Sequence, residues 1–336
     1  MKYKIDPTFQ SSVHRTYQDL SLPINRPTPR FPKGDIDARR QGSSFAKAVL
    51  APEPEILGVV KTRFGVLRED GFEVPVFGYH REEGEAVGGG GEGEEGGELE
   101  LGPAVLYFHG GGMIFRSVEL FEGVTKRDVL ETGVVHFSVD YRLAPEVRHP
   151  TPIEDCYAVL LWLHSNAKNL GVDNSRIAVV GLSAGGGLAA ALSLMARDRG
   201  LHPPIAKQIL LTPMLDDRNT ETDAELLPFT TWTWDDNWTG WNALLDGMAG
   251  SSGVSAYAAP ARAEDLKGLP PTYVDMGSLD IFAKEAEAFV ERLKEAGVDV
   301  EWHLYEGVPH GFEFRGRQSE IHKRARENRC AAIQRM

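Results

Sequence analysis

Cysteine is scarce in this 336-residue chain, which contains only Cys156 and Cys330. Two thiols give no framework of disulfides, and we therefore expect a reducing compartment, the cytoplasm. Long hydrophobic runs are also missing: no stretch of about 18 apolar residues occurs, and the segment Met1–Pro7 has no apolar signal-peptide core. We expect neither a membrane span nor export by the usual signal.

Positive charge is in deficit, with 36 Lys and Arg residues against 49 Asp and Glu residues and a net charge of −13. A nucleic-acid partner would require a basic surface, so we expect none. The hydrophobic content of 42% is sufficient for one large core, and a single α/β domain with added segments can occupy this length. Length and composition thus favour one catalytic domain.

The hydrophobic pattern predicts eight strands, and from the third strand onward helix-like segments separate them. Such alternation predicts βαβ units and a mostly parallel central sheet with helices on both faces. The first two strands follow each other directly and should form an antiparallel edge. The predicted strands are Val59–Leu67, Phe72–Tyr79, Pro103–Phe108, Val134–Tyr141, Arg176–Val180, Lys207–Leu211, Pro271–Met276 and Val300–Tyr305.

A segment of glycine and glutamate, residues 82–98, lies between the second and third predicted strands. Ordering glycine is costly in entropy, and the repeated glutamates repel each other. We therefore expect a solvated, mobile loop there.

The pentapeptide Gly181-Leu182-Ser183-Ala184-Gly185 follows a short apolar strand and precedes a helix-forming run. This layout is typical of a nucleophile elbow, in which a sharp turn lifts the serine clear of the sheet and only small residues fit where backbones crowd. The positive end of the helix behind Ser183 would stabilise an oxyanion. Because the pentapeptide alone is a modest signal, other features have to agree with it.

One such feature is His109-Gly110-Gly111-Gly112, which follows another apolar strand. Consecutive glycines allow main-chain N–H groups to face a ligand without a Cβ in the way. The pattern matches the loop that supplies oxyanion donors in many esterases and lipases, with an ordinary glycine-rich turn as the alternative. A phosphate loop is less favoured, since no Gly-Lys-Ser or Gly-Lys-Thr follows.

The order of the remaining candidates along the chain also agrees, because hydrolases of this type place Ser, then Asp or Glu, then His. Asp280 follows a predicted strand, and His310 follows the last one in a loop bounded by glycine and proline. Side chains at strand ends are those that a parallel sheet presents to a ligand. Asp275 is the alternative acid, but it lies within the strand, where a buried structural carboxylate is the more plausible interpretation.

Four ordered blocks carry a resemblance that runs from about Pro103 to about Phe314: His109–Met113, Asp140–Glu146, Gly181–Gly186 and Pro309–Phe312. Together they resemble the signature blocks of the hormone-sensitive-lipase-like esterases, a branch of the α/β-hydrolases. The resemblance implies an α/β-hydrolase fold with a helical cap. Many members carry Asp or Gly where this chain has Leu182, a position that flanks the serine and does no chemistry.

The resemblance also implies roles for the residues. Ser183 would attack the carbonyl of a small-molecule ester, His310 would act as base and then acid, and Asp280 would orient the imidazole. Water would then cleave the acyl-enzyme, and no metal or organic cofactor is required. The oxyanion hole would consist of the N–H groups of Gly110, Gly111 and Ala184.

Two segments outside the strand pattern would form the cap, residues 1–50 and the insertion 215–256, while residues 51–214 and 257–336 would form the catalytic domain. The insertion is rich in aromatic residues, which would make an apolar pocket for short to medium acyl chains or else only the packing core of the cap. The aromatic residues are Phe229, Trp232, Trp234, Trp238 and Trp241. The candidate pocket residues are Met113, Met214, Trp232 and Trp238.

Two other functions compete with a carboxylesterase. One is a hydrolase or acyltransferase for a particular metabolite ester or lactone. The other is a non-catalytic ligand receptor, as in the gibberellin receptors, which resemble the same esterases but lack the histidine that His310 would supply. Related esterases often dimerise near the region that corresponds to Val300–Tyr305, so a homodimer is a further expectation.

Overall fold

The computed structural model describes residues 2–19, 30–49, 56–82, 101–314 and 316–336, with the backbone alone for 16–19 and 43–49. Apart from residue 82, the predicted mobile loop at 82–98 lies outside the described residues. The described helices are α1 (Pro7–Asp19), α2 (Ile36–Val49), α3 (Val118–Thr132), α4 (Thr151–Asn166), α5 (Ala184–Asp198), α6 (Trp234–Leu244), α7 (Ala283–Glu295) and α8 (Glu320–Gln334). None of them is long and apolar enough to cross a bilayer.

Eight strands form one sheet in the order β1-β2-β4-β3-β5-β6-β7-β8. β2 runs antiparallel to both of its neighbours, and the other neighbouring strands pair in parallel. The predicted fold class, with its antiparallel edge and its mostly parallel centre, is therefore confirmed. The strands are β1 (Val59–Leu67), β2 (Glu73–Arg81), β3 (Gly102–Phe108), β4 (Val135–Val139), β5 (Val172–Leu182), β6 (Lys207–Leu211), β7 (Thr272–Leu279) and β8 (Val300–Pro309).

The central strands are apolar because helices cover both faces of the sheet. On β3, Val105 and Leu106 point to opposite faces, and both are fully buried. Each belongs to a different apolar cluster, which places one core on each side of the sheet. β5 repeats the pattern with Val179 and Val180, which belong to the same two clusters.

The carboxyl ends of the parallel strands bring the candidate residues to one edge of the sheet. β3 pairs with β5 so that Phe108 lies opposite Gly181, and the glycine loop therefore begins beside the serine turn. β7 pairs with β8 so that Leu279 lies opposite Pro309. The residues that follow these two, Asp280 and His310, consequently leave the sheet side by side.

The two segments outside the strand pattern contact each other. Arg39 of α2 is buried and forms an ion pair with Asp236 of α6 at 2.9 Å. The N–H of Gly34 donates to Thr239 Oγ1 at 2.9 Å, which joins the same two segments ahead of α2. α6 itself begins with a capping box, in which the Thr233 side chain and Asp236 satisfy each other's backbone N–H groups.

Candidate active site

Ser183 occupies a sharp turn between β5 and α5. Its backbone has φ 58° and ψ −118°, a conformation that costs energy for any residue with a Cβ. The turn is possible because its neighbours are glycines: a Cβ on Gly181 would lie 2.0 Å from the Gly185 carbonyl oxygen, and one on Gly185 would lie 2.1 Å from the Phe108 oxygen. The small residues of the motif are thus required by backbone contacts, as the sequence pattern suggested.

Ser183, His310 and Asp280 form a chain of hydrogen bonds. His310 Nε2 lies 2.9 Å from Ser183 Oγ, and His310 Nδ1 lies 2.6 Å from Asp280 Oδ2. The other oxygen of Asp280 accepts the N–H of Phe282 at 3.0 Å, and the ring of Phe282 packs edge-on against the imidazole. The hydrogen bond from Phe282 fixes the Asp280 carboxylate, so that its second oxygen faces His310.

Solvent access differs along this chain of side chains. The Asp280 side chain is fully buried, while the His310 side chain is 13% exposed. Ser183 is 6% exposed and lines an open pocket. The hydroxyl and the imidazole can therefore meet a substrate, whereas the carboxylate can act only through the imidazole.

The glycine loop is fixed by a buried histidine. His109 Nδ1 donates to the carbonyl oxygen of Gly110 at 2.8 Å. Since the C=O and N–H of a trans peptide point in opposite directions, the N–H of Gly111 points away from the His109 ring. Gly111 lines the pocket that contains Ser183. The N–H of Ala184, the first residue of α5, has no acceptor within its own helix.

Burial keeps His109 neutral. Its side chain is fully buried and stacks on Tyr141 at 4.4 Å between ring centroids, and burial lowers its pKa to about 4. The Tyr141 hydroxyl donates to the His109 carbonyl oxygen at 2.6 Å. Ring and backbone of His109 are both held, which fixes the orientation of the Gly110 carbonyl.

The pocket above Ser183 has a cavity volume of about 120 Å³ and an aromatic wall. Of the four predicted pocket residues, Trp232 lines it, in contact distance of Gly112. The remaining lining residues of the described chain are Gly110, Gly111, Phe115, Arg116, Leu182, Thr231, His310, Gly311 and Phe314.

The structure places Met113, Met214 and Trp238 elsewhere, which corrects their assignment to this pocket. Met113 and Met214 point into the main core and are fully buried, although the backbone N–H of Met214 donates to the Ser183 carbonyl oxygen. Trp238 lies at the surface, where it is 37% exposed and its ring lies beneath the ammonium of Lys33. A position next to the glycine loop in sequence, or a backbone hydrogen bond to Ser183, therefore did not place these side chains in the pocket.

Sequence reasoning missed Phe115, Arg116, Thr231 and Phe314 as pocket residues, and it dismissed Leu182, which also lines the pocket. Phe115 and Arg116 lie three and four residues after the glycine loop, and that position was the available signal. Thr231 reaches the site through its hydroxyl, which donates to the carbonyl oxygen of His310.

Fold and site together define an α/β-hydrolase: a mostly parallel sheet with a serine turn after its central strand β5, a glycine loop beside it, and an acid and a histidine at the ends of β7 and β8. The chain matches the sequence profile of the alpha/beta hydrolase fold family over residues 105–314. This match covers more than half of the chain, and the protein belongs to this family.

The chain is similar to proteins named as esterases. It is 35% identical over 216 residues to the esterase LipI of Mycobacterium tuberculosis, covering 62% of this chain and 65% of that protein. It is 32% identical over 223 residues to an arylesterase of Saccharolobus solfataricus, covering 62% of this chain and 67% of that protein. The chain thus spans about two thirds of the length of these curated relatives.

Solved structures of esterases have the same fold over nearly the whole chain. A bacterial heroin esterase superposes with a TM-score of 0.82 at 33% identity and covers 99% of this chain and 98% of its own. An esterase of Pyrobaculum calidifontis superposes with a TM-score of 0.78 at 30% identity and covers 99% of both chains. The likeness includes the segments outside the profile match.

Proposed function

We propose that the protein is a serine carboxylesterase of the hormone-sensitive-lipase-like branch, which cleaves small esters with Ser183, His310 and Asp280 as its catalytic triad. The observation that carries the proposal is the continuous chain of hydrogen bonds, 2.9 Å from Ser183 Oγ to the imidazole and 2.6 Å from the imidazole to Asp280. These are the distances required for proton transfer from a nucleophile to an oriented base.

The reaction begins when His310 Nε2 removes the proton of Ser183 as Oγ attacks the ester carbonyl. The resulting imidazolium is stabilised by Asp280, and it then protonates the leaving alcohol while the acyl group stays on Ser183. A water molecule, deprotonated by the same imidazole, attacks the acyl-enzyme, and the acid leaves as Ser183 regains its proton. Every proton therefore passes through one nitrogen of His310.

The N–H groups of Gly110, Gly111 and Ala184 form the proposed oxyanion hole. Two features support this role: the carbonyl of Gly110 is turned toward His109, so that the next N–H points away from that ring, and the N–H of Ala184 is free of helical bonding. Loss of one such donor typically costs about 2.7 to 4 kcal/mol of transition-state stabilisation.

Short to medium acyl chains are the proposed substrates. The cavity of about 120 Å³ is small for a ligand site, and the rings of Phe115, Trp232 and Phe314 line it. Residues 1–50 and 215–256 form the proposed cap, supported by the buried Arg39–Asp236 contact between them and by Trp232, which the insertion contributes to the pocket.

Two measurements test the proposal. The purified protein should hydrolyse p-nitrophenyl acetate and butyrate faster than the palmitate, and the Ser183→Ala variant should lose this activity. A fluorophosphonate should label the protein covalently at Ser183, which a non-catalytic receptor of the same fold would not permit because its serine is not activated. Unlabelled, inactive protein with native thermal unfolding would refute catalysis.

Two further expectations belong to this proposal. A homodimer is expected through β8, which lies at one edge of the described sheet, and light scattering of the purified protein would measure it. A cytoplasmic location is expected because Cys156 and Cys330 are both free thiols. Fractionation of the source cells would test the location.

A further inference from the structure

Arg116 lines the same pocket as Ser183 and follows the glycine loop by four residues. Its backbone has φ 78°, in the left-handed region that glycine occupies without cost and that arginine rarely adopts. It packs against the loop itself, since a Cβ on Gly111 would lie 3.3 Å from the Cβ of Arg116. The chain therefore carries a large cation on a strained backbone at the edge of the proposed oxyanion hole.

The guanidinium is held by aromatic rings. Its central carbon lies 5.4 Å, 5.7 Å and 5.8 Å from the ring centroids of Phe115, Phe121 and Phe314. Phe115 and Phe314 line the pocket with it. Cation–π contacts of this kind fix the side chain, and apolar rings lower the local dielectric, which strengthens its interaction with any anion that reaches it.

The lining of the pocket differs in charge from the chain as a whole, although the Asp280 carboxylate lies behind His310. Among the described residues that line the pocket, Arg116 carries a permanent charge, His310 can gain one, and none is Asp or Glu. The chain as a whole has a net charge of −13. After burial, the nearby charge of Arg116 also lowers the pKa of His109.

We propose that Arg116 makes the site selective for esters that carry a carboxylate a few atoms from the scissile carbonyl. A guanidinium binds a carboxylate through two parallel N–H donors, which fixes the orientation as well as the charge of the ligand. This inference rests on the proposed esterase function and adds a substrate class to it. The strained backbone is consistent with a residue kept for its side chain.

The test uses two pairs of substrates that differ only by an anionic carboxylate against a neutral amide. Monoethyl succinate and ethyl succinamate place this group on the acyl side of the ester. The acetyl esters of lactate and of lactamide place it on the alcohol side. For each pair, the ratio of kcat/KM for the anionic member to kcat/KM for the neutral member measures the selectivity.

Three variants accompany the wild type. Arg116→Met removes the charge at similar length, and Arg116→Lys retains it without the planar fork. Arg63→Met removes an equal charge from β1, where Arg63 is 57% exposed and pairs with Glu73, and serves as the control for a change of net charge. Thermal unfolding of each variant shows that it is folded.

The expected result is a ratio above one for at least one pair, which Arg116→Met lowers roughly tenfold or more, mainly through KM of the anionic substrate. Arg116→Lys should retain part of the ratio, and Arg63→Met should leave it unchanged. The pair that responds assigns the carboxylate to the acyl or to the alcohol side.

Two outcomes have different meanings. If the wild type cleaves the neutral esters but neither ratio changes in Arg116→Met, the carboxylate preference is refuted and the esterase proposal stands. If the wild type cleaves none of these esters nor the p-nitrophenyl esters, the proposed function itself fails.

Discussion

Arg329 of α8 donates hydrogen bonds to both carboxylate oxygens of Asp275 on β7, at 2.5 Å and 3.0 Å. The same guanidinium contacts Glu313 at 2.8 Å, three residues beyond His310. Asp275 lies within β7, whereas Asp280 follows the end of that strand. The Asp275 carboxylate is enclosed in an ion network, and the Asp280 carboxylate faces the imidazole of His310.

Asp280→Asn and Asp275→Asn form a matched pair of changes. Asp280→Asn should lower kcat by about 10³ to 10⁴-fold with little loss of stability, because the amide can no longer stabilise the imidazolium or select its tautomer. Asp275→Asn should instead lower the free energy of unfolding by about 3 to 5 kcal/mol, since it leaves the buried charge of Arg329 partly uncompensated. Ester hydrolysis and urea unfolding of both variants check this. Equal losses of kcat in two folded variants would contradict the assignment of the acid.

The Arg39–Asp236 pair is a buried polar contact between α2 and α6. Arg39 has a side-chain exposure of 1%, and Arg39→Met would leave the Asp236 carboxylate buried without a cation, with its hydrogen bonds from Thr233 alone. We expect a loss of about 3 to 5 kcal/mol in unfolding free energy. Arg148→Met is the control, because it removes an exposed ion pair to Asp246 and should cost about 0 to 1 kcal/mol. Urea unfolding measures both values, and similar losses would show that burial of the first pair is energetically unimportant.

Gly112 has no room for a side chain. A Cβ there would lie 2.4 Å from the Cη2 atom of Trp232, and the residue has φ 57°. Gly112→Ala should displace Trp232 and the adjoining loop and lower kcat/KM by about 10 to 100-fold. Gly200→Ala is the control for the backbone cost alone, because Gly200 has φ 68° and open space around its Cβ. It should lose about 1 kcal/mol of stability and retain kcat/KM. Unchanged hydrolysis in Gly112→Ala would mean that Trp232 does not shape the site.

Acid should destabilise the protein partly through His322. Burial, and then the neighbouring cations Arg329, Arg326, Arg317 and Arg127, lower the pKa of His322 to about 3. The unfolded chain binds the proton from about pH 6.5 downward, so stability is complete above that pH and falls between pH 6.5 and 3 by up to about 1.4 kcal/mol per unit. His322→Gln should flatten this part of the stability curve. Urea unfolding between pH 7.5 and pH 5 compares the two proteins, and parallel curves would exclude His322 as a source of acid sensitivity.

Local sequence patterns were sufficient to predict which side chains meet at the candidate site. Ser183 could be located because a strand, two crowded glycines and a helix must surround such a turn, and His310 and Asp280 because strand ends in a parallel sheet share one edge. The placement of β4 between β2 and β3 could not be read from the pattern, since it depends on which strands pair across the crossover.

The pocket could not be predicted from local rules, and Trp238 shows why. Trp234, Trp238 and Trp241 are spaced as i, i+4 and i+7 on α6, which places them near one helix face. Trp234 and Trp241 are buried, yet Trp238 is exposed next to Lys33 and Gly34, about 200 positions earlier in the chain. Contacts between residues so far apart in the chain leave no periodic pattern in the local sequence. Met113 and Met214 failed for a related reason, because an apolar side chain fits a core as well as a cavity.

The position of Arg329 on α8 has a consequence for biosynthesis. A chain emerging from the ribosome contains Asp280 and His310 before it contains this cation, and until then the carboxylates of Asp275 and Glu313 have no guanidinium to neutralise them in the interior. We therefore expect β7 and β8 to reach their final packing only after translation has passed residue 329. The ion network around Asp275 would then be among the last parts of the candidate site to assemble during synthesis.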